Sequence, residues 1–172
     1  MKVLLGLLAN YGGKLWVGGR KLREINLAAY RSRIAYAPQD PWLFEGTVEE
    51  NIRISRPDMS KEELEALLEK LGLGALADRL VGNGGSGLSG GEKQKISIAR
   101  ALAKNAELLF LDEPGNNLDK NTLDWLHNFL RESNKTIVFV SHEESFAACA
   151  HKRVTLPTFS LQAGGAEGGN IS

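Results

Sequence analysis

Asp112 and Glu113 close the apolar run Leu108-Leu109-Phe110-Leu111, and open α/β sheets place their ligands at the carboxyl ends of such buried strands. One carboxylate there can hold Mg²⁺, usually through water, while the next orients or deprotonates an attacking water. The plainer alternative is a polar strand exit, Asp-Glu-Pro. Ser89-Gly90-Gly91 opens a helical segment whose unpaired N–H groups and positive dipole end suit a phosphate, with glycine letting the anion approach the backbone. An ordinary serine N-cap fits the same residues. His142 follows the apolar run Thr136 to Val140 by two residues and can reach a terminal phosphate oxygen. Gln39, just past the run Ile34 to Ala37, can sense Mg²⁺ or water at the same edge. A solvated histidine and a solvated turn glutamine are the competing readings. Each signal is weak by itself, but four of them on one rim point to nucleotide chemistry.

Those residues need a scaffold. Leu108–Leu111 and Thr136–Val140 are continuous apolar runs of the kind buried on both faces of a parallel sheet. Asp119 can cap a helix between them, with Leu123, Leu126, Phe129 and Leu130 as its apolar stripe, so strand, helix, strand predicts one right-handed crossover unit. A second helix is predicted over about 91–104, with Ile96, Ala99, Leu102 and Ala103 inward and its N-terminus facing the glycine cluster Gly82 to Gly87. Ser60 and Glu63 form a capping box for a third, with Leu64, Leu67, Leu68 and Leu71 on one face and Gly72 as its stop. Lys14–Val17 between two glycine pairs, and Arg33–Ala37 before Pro38, predict short strands. The leucines at 4, 5, 7 and 8 predict the end of a buried helix over 3–9.

At 172 residues the chain suits one domain with one core. Its 21 basic and 21 acidic residues cancel, so net charge marks neither nucleic acid nor an acidic membrane as a partner. The single cysteine, Cys149, excludes an internal disulfide, and its apolar, small-residue surroundings predict a buried inert thiol, which fits the reducing cytosol. Met1–Ala9 superficially resembles a signal peptide, but Asn10-Tyr11-Gly12-Gly13-Lys14 stands where a small-residue cleavage site belongs. No segment approaches the roughly 20 apolar residues of a membrane span. The Gly-rich stretch 158–172 predicts a disordered tail.

Taken in order, these motifs resemble the nucleotide-binding domain of an ABC transporter, from residue 1 to about 156. Leu88-Ser89-Gly90-Gly91-Glu92 resembles the family signature, with Glu where Gln is more usual, and Lys93 to Leu102 resembles the helix behind it. The resemblance implies an α/β fold: an incomplete P-loop NTPase-like parallel sheet flanked by helices, with an inserted ABC-type helical subdomain. Residues 1–40 and 105–157 would be a remnant RecA-like ATPase core, and 41–104 the helical subdomain. It further implies that Asp112 is the Mg²⁺-associated carboxylate of the Walker B strand, Glu113 the catalytic base and His142 the switch histidine. Ser89, Gly90, Gly91 and Asp119, the last in the D-loop Asn116 to Asp119, would contact nucleotide, and Gln39 of the Q-loop both nucleotide and Mg²⁺. Pro38 to Ile52 is similar to exporter-type members, where this region touches the coupling helices of the membrane domain. Trp42, Leu43 and Phe44 would then face a partner, or else join the core. Gly82-Asn83-Gly84-Gly85 occupies the contact loop before the signature without that loop's usual Glu and Arg. The implied cofactors are ATP and Mg²⁺. The implied partners are the transmembrane domain of an exporter and a second nucleotide-binding domain in a head-to-tail dimer, with no nucleic acid. The implied location is cytoplasmic, at the inner face of the cell membrane.

The family pattern G-x-x-x-x-G-K-[ST], whose backbone cradles the phosphates, does not occur in the 172 residues. Gly12-Gly13-Lys14-Leu15 lacks both the first glycine and the hydroxyl residue. The aromatic that stacks on adenine is absent as well. Alignment of the leucines puts Met1-Lys2-Val3 at the lysine and hydroxyl positions, so the expectation is a cassette truncated within that loop, missing a central strand and only marginally stable. Losing several charge-assisted hydrogen bonds at roughly 1.5–3 kcal/mol each leaves an affinity deficit above about 4 kcal/mol, about a thousandfold. Three readings follow: the carboxyl-terminal part of an exporter ATPase, a non-catalytic module lending its signature loop to a partner's ATP site, and an inactive gene fragment. Neutral charge and the Phe44-Glu45-Gly46-Thr47 context count against an ATPase of DNA repair or translation.

Overall fold

The computed structural model of the chain describes residues 1–155, so the stretch 158–172 lies outside the described residues, as do 156 and 157 of the expected core segment. The fold is α/β, a parallel sheet flanked by helices. Its strands are β1 (Trp16–Val17), β2 (Arg20–Lys21), β3 (Ile34–Ala37), β4 (Gly46–Thr47), β5 (Leu80–Val81), β6 (Leu108–Asp112) and β7 (Thr136–Val140). The helices are α1 (Leu27–Ser32), α2 (Val48–Arg53), α3 (Lys61–Lys70), α4 (Gly90–Ala103), α5 (Lys120–Glu132) and α6 (Glu144–Ala147). The three longest strands make the central sheet in the order β3-β6-β7, all parallel. Two short antiparallel pairs, β1 with β2 and β4 with β5, stand apart from it.

Alternation along the strands assigns the two faces. Ile34, Tyr36, Leu108, Phe110 and Val138 point to one side, where Leu5, Leu22 and Tyr30 from the first 33 residues cover them. Ala35, Ala37, Leu109, Leu111, Ile137 and Phe139 point to the other, against the helices. There Ile96 and Ala99 of α4, Leu64 and Leu68 of α3 and Leu126 and Leu130 of α5 complete the main core. The helix starts follow local chemistry. Thr47 with Glu50, Ser60 with Glu63 and Ser89 with Glu92 each close a full capping box at α2, α3 and α4, and Asn26 and Asp119 cap α1 and α5.

Three expectations need correcting. Residues 3–9 are not a helix. Gly6 N–H donates to Val3 O and Leu7 N–H to Lys2 O, with Gly6 at φ 66°, so a single turn ends in a glycine-closed C-terminal motif. Leu7 and Leu8 lie beyond it, 56% and 46% exposed. Second, β7 is not buried on both faces: it is only partly covered and, with β3, is one of the two edge strands of the sheet among the described residues. Third, the alternatives for Trp42, Leu43 and Phe44 are divided by residue: Leu43 is fully buried, while Trp42 and Phe44 are 61% and 51% exposed. Cys149 is buried, as read.

Candidate functional site

Because β3, β6 and β7 run parallel in one register, their carboxyl ends share an edge. Ala37 is level with Leu111, and Asp112 with Val140. Glu113 prolongs the ladder by one bond, its N–H donating to Val140 O at 2.8 Å, and then turns away with φ 47°. That left-handed backbone is costly for a side-chain-bearing residue and holds the Glu113 carboxylate over the strand ends. There Glu113 Oε2 lies 2.8 Å from His142 Nδ1 and accepts a longer bond from the His142 backbone N–H. The carboxylate is largely buried and the imidazole open to solvent. Gln39, two residues past β3, is exposed at the same edge.

Asp112 has a partner that sequence reasoning missed. Tyr36 on β3 donates its hydroxyl to Asp112 Oδ2 at 3.2 Å. Burial, reinforced by the Asp112 charge, pushes the Tyr36 phenol up to about 12, so it stays a donor at every physiological pH. The signal was faint: Tyr36 alternates with Ala35 and Ala37 in a short strand, and its meeting with Asp112 depends on a pairing between distant segments. Among the described residues no cluster of three or more His, Cys, Asp or Glu could hold a metal. One carboxylate held by a phenol fits an Mg²⁺ that reaches the protein through water and takes its other ligands from phosphate.

A second group gathers at the start of α4. Ser89 Oγ accepts from Glu92 N–H at 3.2 Å, and Glu92 Oε2 accepts from Ser89 N–H at 2.7 Å. Glu92 also pairs with Arg79 at 3.0 Å. The Ser89 backbone N–H, and then Arg79, hold the Glu92 carboxyl below its ordinary range. Both N-terminal N–H groups of the capping box are therefore occupied, and the carboxylate of Glu92 sits at the helix start. A phosphate at this helix end meets that charge, offset in part by Arg79.

Gly91 is pinned from the side. Asn117, left-handed at φ 61°, places its carbonyl oxygen so that a Cβ on Gly91 would collide with it. A Cβ on Gly90 would meet only the Asn117 side chain, at 3.4 Å. Two residues on, Asp119 caps α5 through Thr122 N–H and pairs with Lys95 of α4 at 2.5 Å. Lys95 first, with the Thr122 backbone, holds the Asp119 carboxyl far below the usual carboxylate range. An open cleft of about 270 Å³ runs between the two groups, bordered by Gln39, Trp42, Lys93, Gln94 and Asn117. That is short of the roughly 300–1,000 Å³ of pockets that bury a ligand of drug size.

Residues 1–116 match the ABC transporter family. The chain is 36% identical over 155 residues to the mitochondrial iron-sulfur clusters transporter ATM1 of Saccharomyces cerevisiae, covering 84% of this chain and 22% of that protein. It is also 36% identical over 149 residues to the glutathione/L-cysteine transport system ATP-binding/permease protein CydD of Haemophilus influenzae, covering 83% of this chain and 25% of that one. Among solved structures, a bacterial Atm1-family ABC exporter with ATP bound superposes with a TM-score of 0.78 at 29% identity, over 86% of this chain and 27% of that chain. The chain thus spans about a quarter of the length of the proteins it matches.

Two outcomes follow from this geometry. Gly91→Ala drives a methyl into a backbone oxygen and should lower stability by about 1–3 kcal/mol, while Gly90→Ala, facing a side chain that can move, should cost well under 1 kcal/mol. Urea midpoints of the two variants decide it. Asp119 has a folded pKa below its unfolded value, so its contribution is present above about pH 4 and is lost as pH falls through the folded value. Asp119→Asn should therefore lose less stability than the parent chain between about pH 5 and about pH 3, around the ordinary carboxylate value, as read by the urea midpoint at each pH.

Proposed function

The chain belongs to the ABC transporter family, among the nucleotide-binding domains of exporters, and from that membership we propose that it works in ATP binding and hydrolysis coupled to transport across a membrane. The observation that carries the reading is the Glu113–His142 pair, 2.8 Å apart at the carboxyl edge of a parallel sheet. Glu113 orients an attacking water and accepts its proton; His142 holds that carboxylate through Nδ1 and leaves its other ring nitrogen open toward a terminal phosphate. Asp112, steadied by Tyr36, and Gln39 would hold Mg²⁺. Mg²⁺, when bound, neutralises charge developing on the phosphate oxygens.

On the other rim, Ser89, Gly90 and Gly91 cap the nucleotide of a second cassette in a head-to-tail dimer, and Asp119 fixes the loop between the rims. No phosphate-cradling loop occurs in the 172 residues, so ATP is held by a loop outside them. Trp42 and Phe44, exposed beside the buried Leu43, face the transmembrane partner. No described helix is long and apolar enough to cross a membrane, and the bilayer is reached through that partner. A reading in which the chain is a purely capping module rests on the same missing loop and differs in one respect: Glu113 is then idle.

Mixing the chain with a cassette that has its own phosphate loop should stimulate ATP hydrolysis, and Ser89→Arg should abolish the stimulation. Stimulation that survives Ser89→Arg sinks the proposal. Glu113→Gln separates the two forms of it: turnover falls at least tenfold if both rims work, and is unchanged if only the capping rim does.

A further inference from the structure

A buried amide on α4 has no partner. Gln94 is 2% exposed, and its Nε2 forms no hydrogen bond among the described residues. An amide N–H taken out of water without an acceptor costs stability, and an apolar side chain of the same shape would fill the space without that cost. A donor left in this state calls for a role beyond packing.

Gln94 borders the open cleft, and along the same cleft run Gln39, Asp40, Pro41 and Trp42. The two ends of that segment are held differently. At the far end Arg100, also on α4, donates to Trp42 O at 3.0 Å and to both the main-chain and side-chain oxygens of Asn51. Asn51, buried, in turn clamps Phe44, accepting from its N–H and donating to its carbonyl, each at 2.9 Å. At the near end no main-chain carbonyl of Gln39, Asp40 or Pro41 accepts a hydrogen bond among the described residues. The segment is thus anchored to α4 at Trp42 and loose at Gln39, and the unpaired amide lies beside the loose end.

We propose that Gln94 is a positioning residue for the nucleotide site: when the cleft closes about the Trp42 anchor, Gln94 Nε2 donates to a main-chain carbonyl of residues 39–41. The bond fixes Gln39, at the carboxyl edge of the sheet, to the helix that carries Ser89, Gly90 and Gly91. Gln94 touches neither nucleotide nor Mg²⁺ and acts through those residues. The open cleft supplies the space for the movement, and Arg100 with Asn51 supplies its pivot. The inference rests on the nucleotide reading above and adds to it a link between the two rims within one chain.

The test sets stability against stimulation of a cassette that has its own phosphate loop, for the full chain and for Gln94→Met. The urea midpoint of Gln94→Met should equal or exceed that of the parent chain, because no hydrogen bond is lost. The maximal stimulated rate should fall about fivefold, the worth of one neutral hydrogen bond, while the chain concentration that gives half of it stays within about twofold, because the surface offered to the other cassette is unchanged. Gln94→Leu should behave like Gln94→Met, since both lack the donor, and it carries the test if one of the two fails to fold. A lower midpoint for both variants shows that the donor is already paired in the free chain and overturns the proposal, as does stimulation equal to that of the parent chain. Absence of stimulation by the parent chain overturns the nucleotide reading instead, and this inference with it.

Discussion

Everything reactive in this protein is levelled by the parallel register of three strands. β6 is paired on both sides, and its two ladders bring Ala37, Leu111 and Phe139 to one height. The polar residues that follow those strands have no other reason to meet. Gln39, Asp112, Glu113 and His142 come from three segments widely separated in sequence, and Tyr36 reaches Asp112 only because β3 and β6 are adjacent. A slip of one residue in either ladder would turn every side chain of that strand to the opposite face. It would bury Tyr36 among the helices and separate Glu113 from His142. The burial of Leu109 and Leu111 on one face and Phe110 on the other makes such a slip costly.

A second constraint joins this edge to the start of α4. The loop between β6 and α5 carries Asn117 against Gly91 and ends at Asp119, which is tied to Lys95 of α4. Gly91 is thereby needed to make room for a carbonyl of its own chain, besides its proposed part in letting a phosphate approach the helix end. The Glu92 carboxylate draws the capping box tight and lowers the appeal of that helix end to an anion. Arg79 relieves the charge without removing it.

What the sequence made legible was what local spacing controls. Ser60 with Glu63 marked the start of α3, Asp119 marked the start of α5, and the apolar runs marked β6 and β7, because caps and strand cores need only neighbours within a few residues. What depends on distant partners was not legible. An apolar run reads the same in an edge strand as in a central one, so β7 was expected to be doubly buried. The leucines at 4, 5, 7 and 8 have helical spacing, but Gly6 ends the turn between them and leaves Leu7 outside. The contact of Tyr36 with Asp112 had no signature at all. The family and the α/β class followed from motif order, which survives uncertainty about any one element.

The 172 residues are proposed to present both rims of an ATP site, and no phosphate-cradling motif occurs among them. Calorimetry of Mg-ATP against the purified chain, with Glu113→Gln alongside to suppress turnover, tests this most directly. No saturable heat is expected up to millimolar nucleotide, as an affinity deficit of about a thousandfold requires. Binding at micromolar concentration would contradict it, because the residues described here offer no surface that could hold the phosphates so tightly.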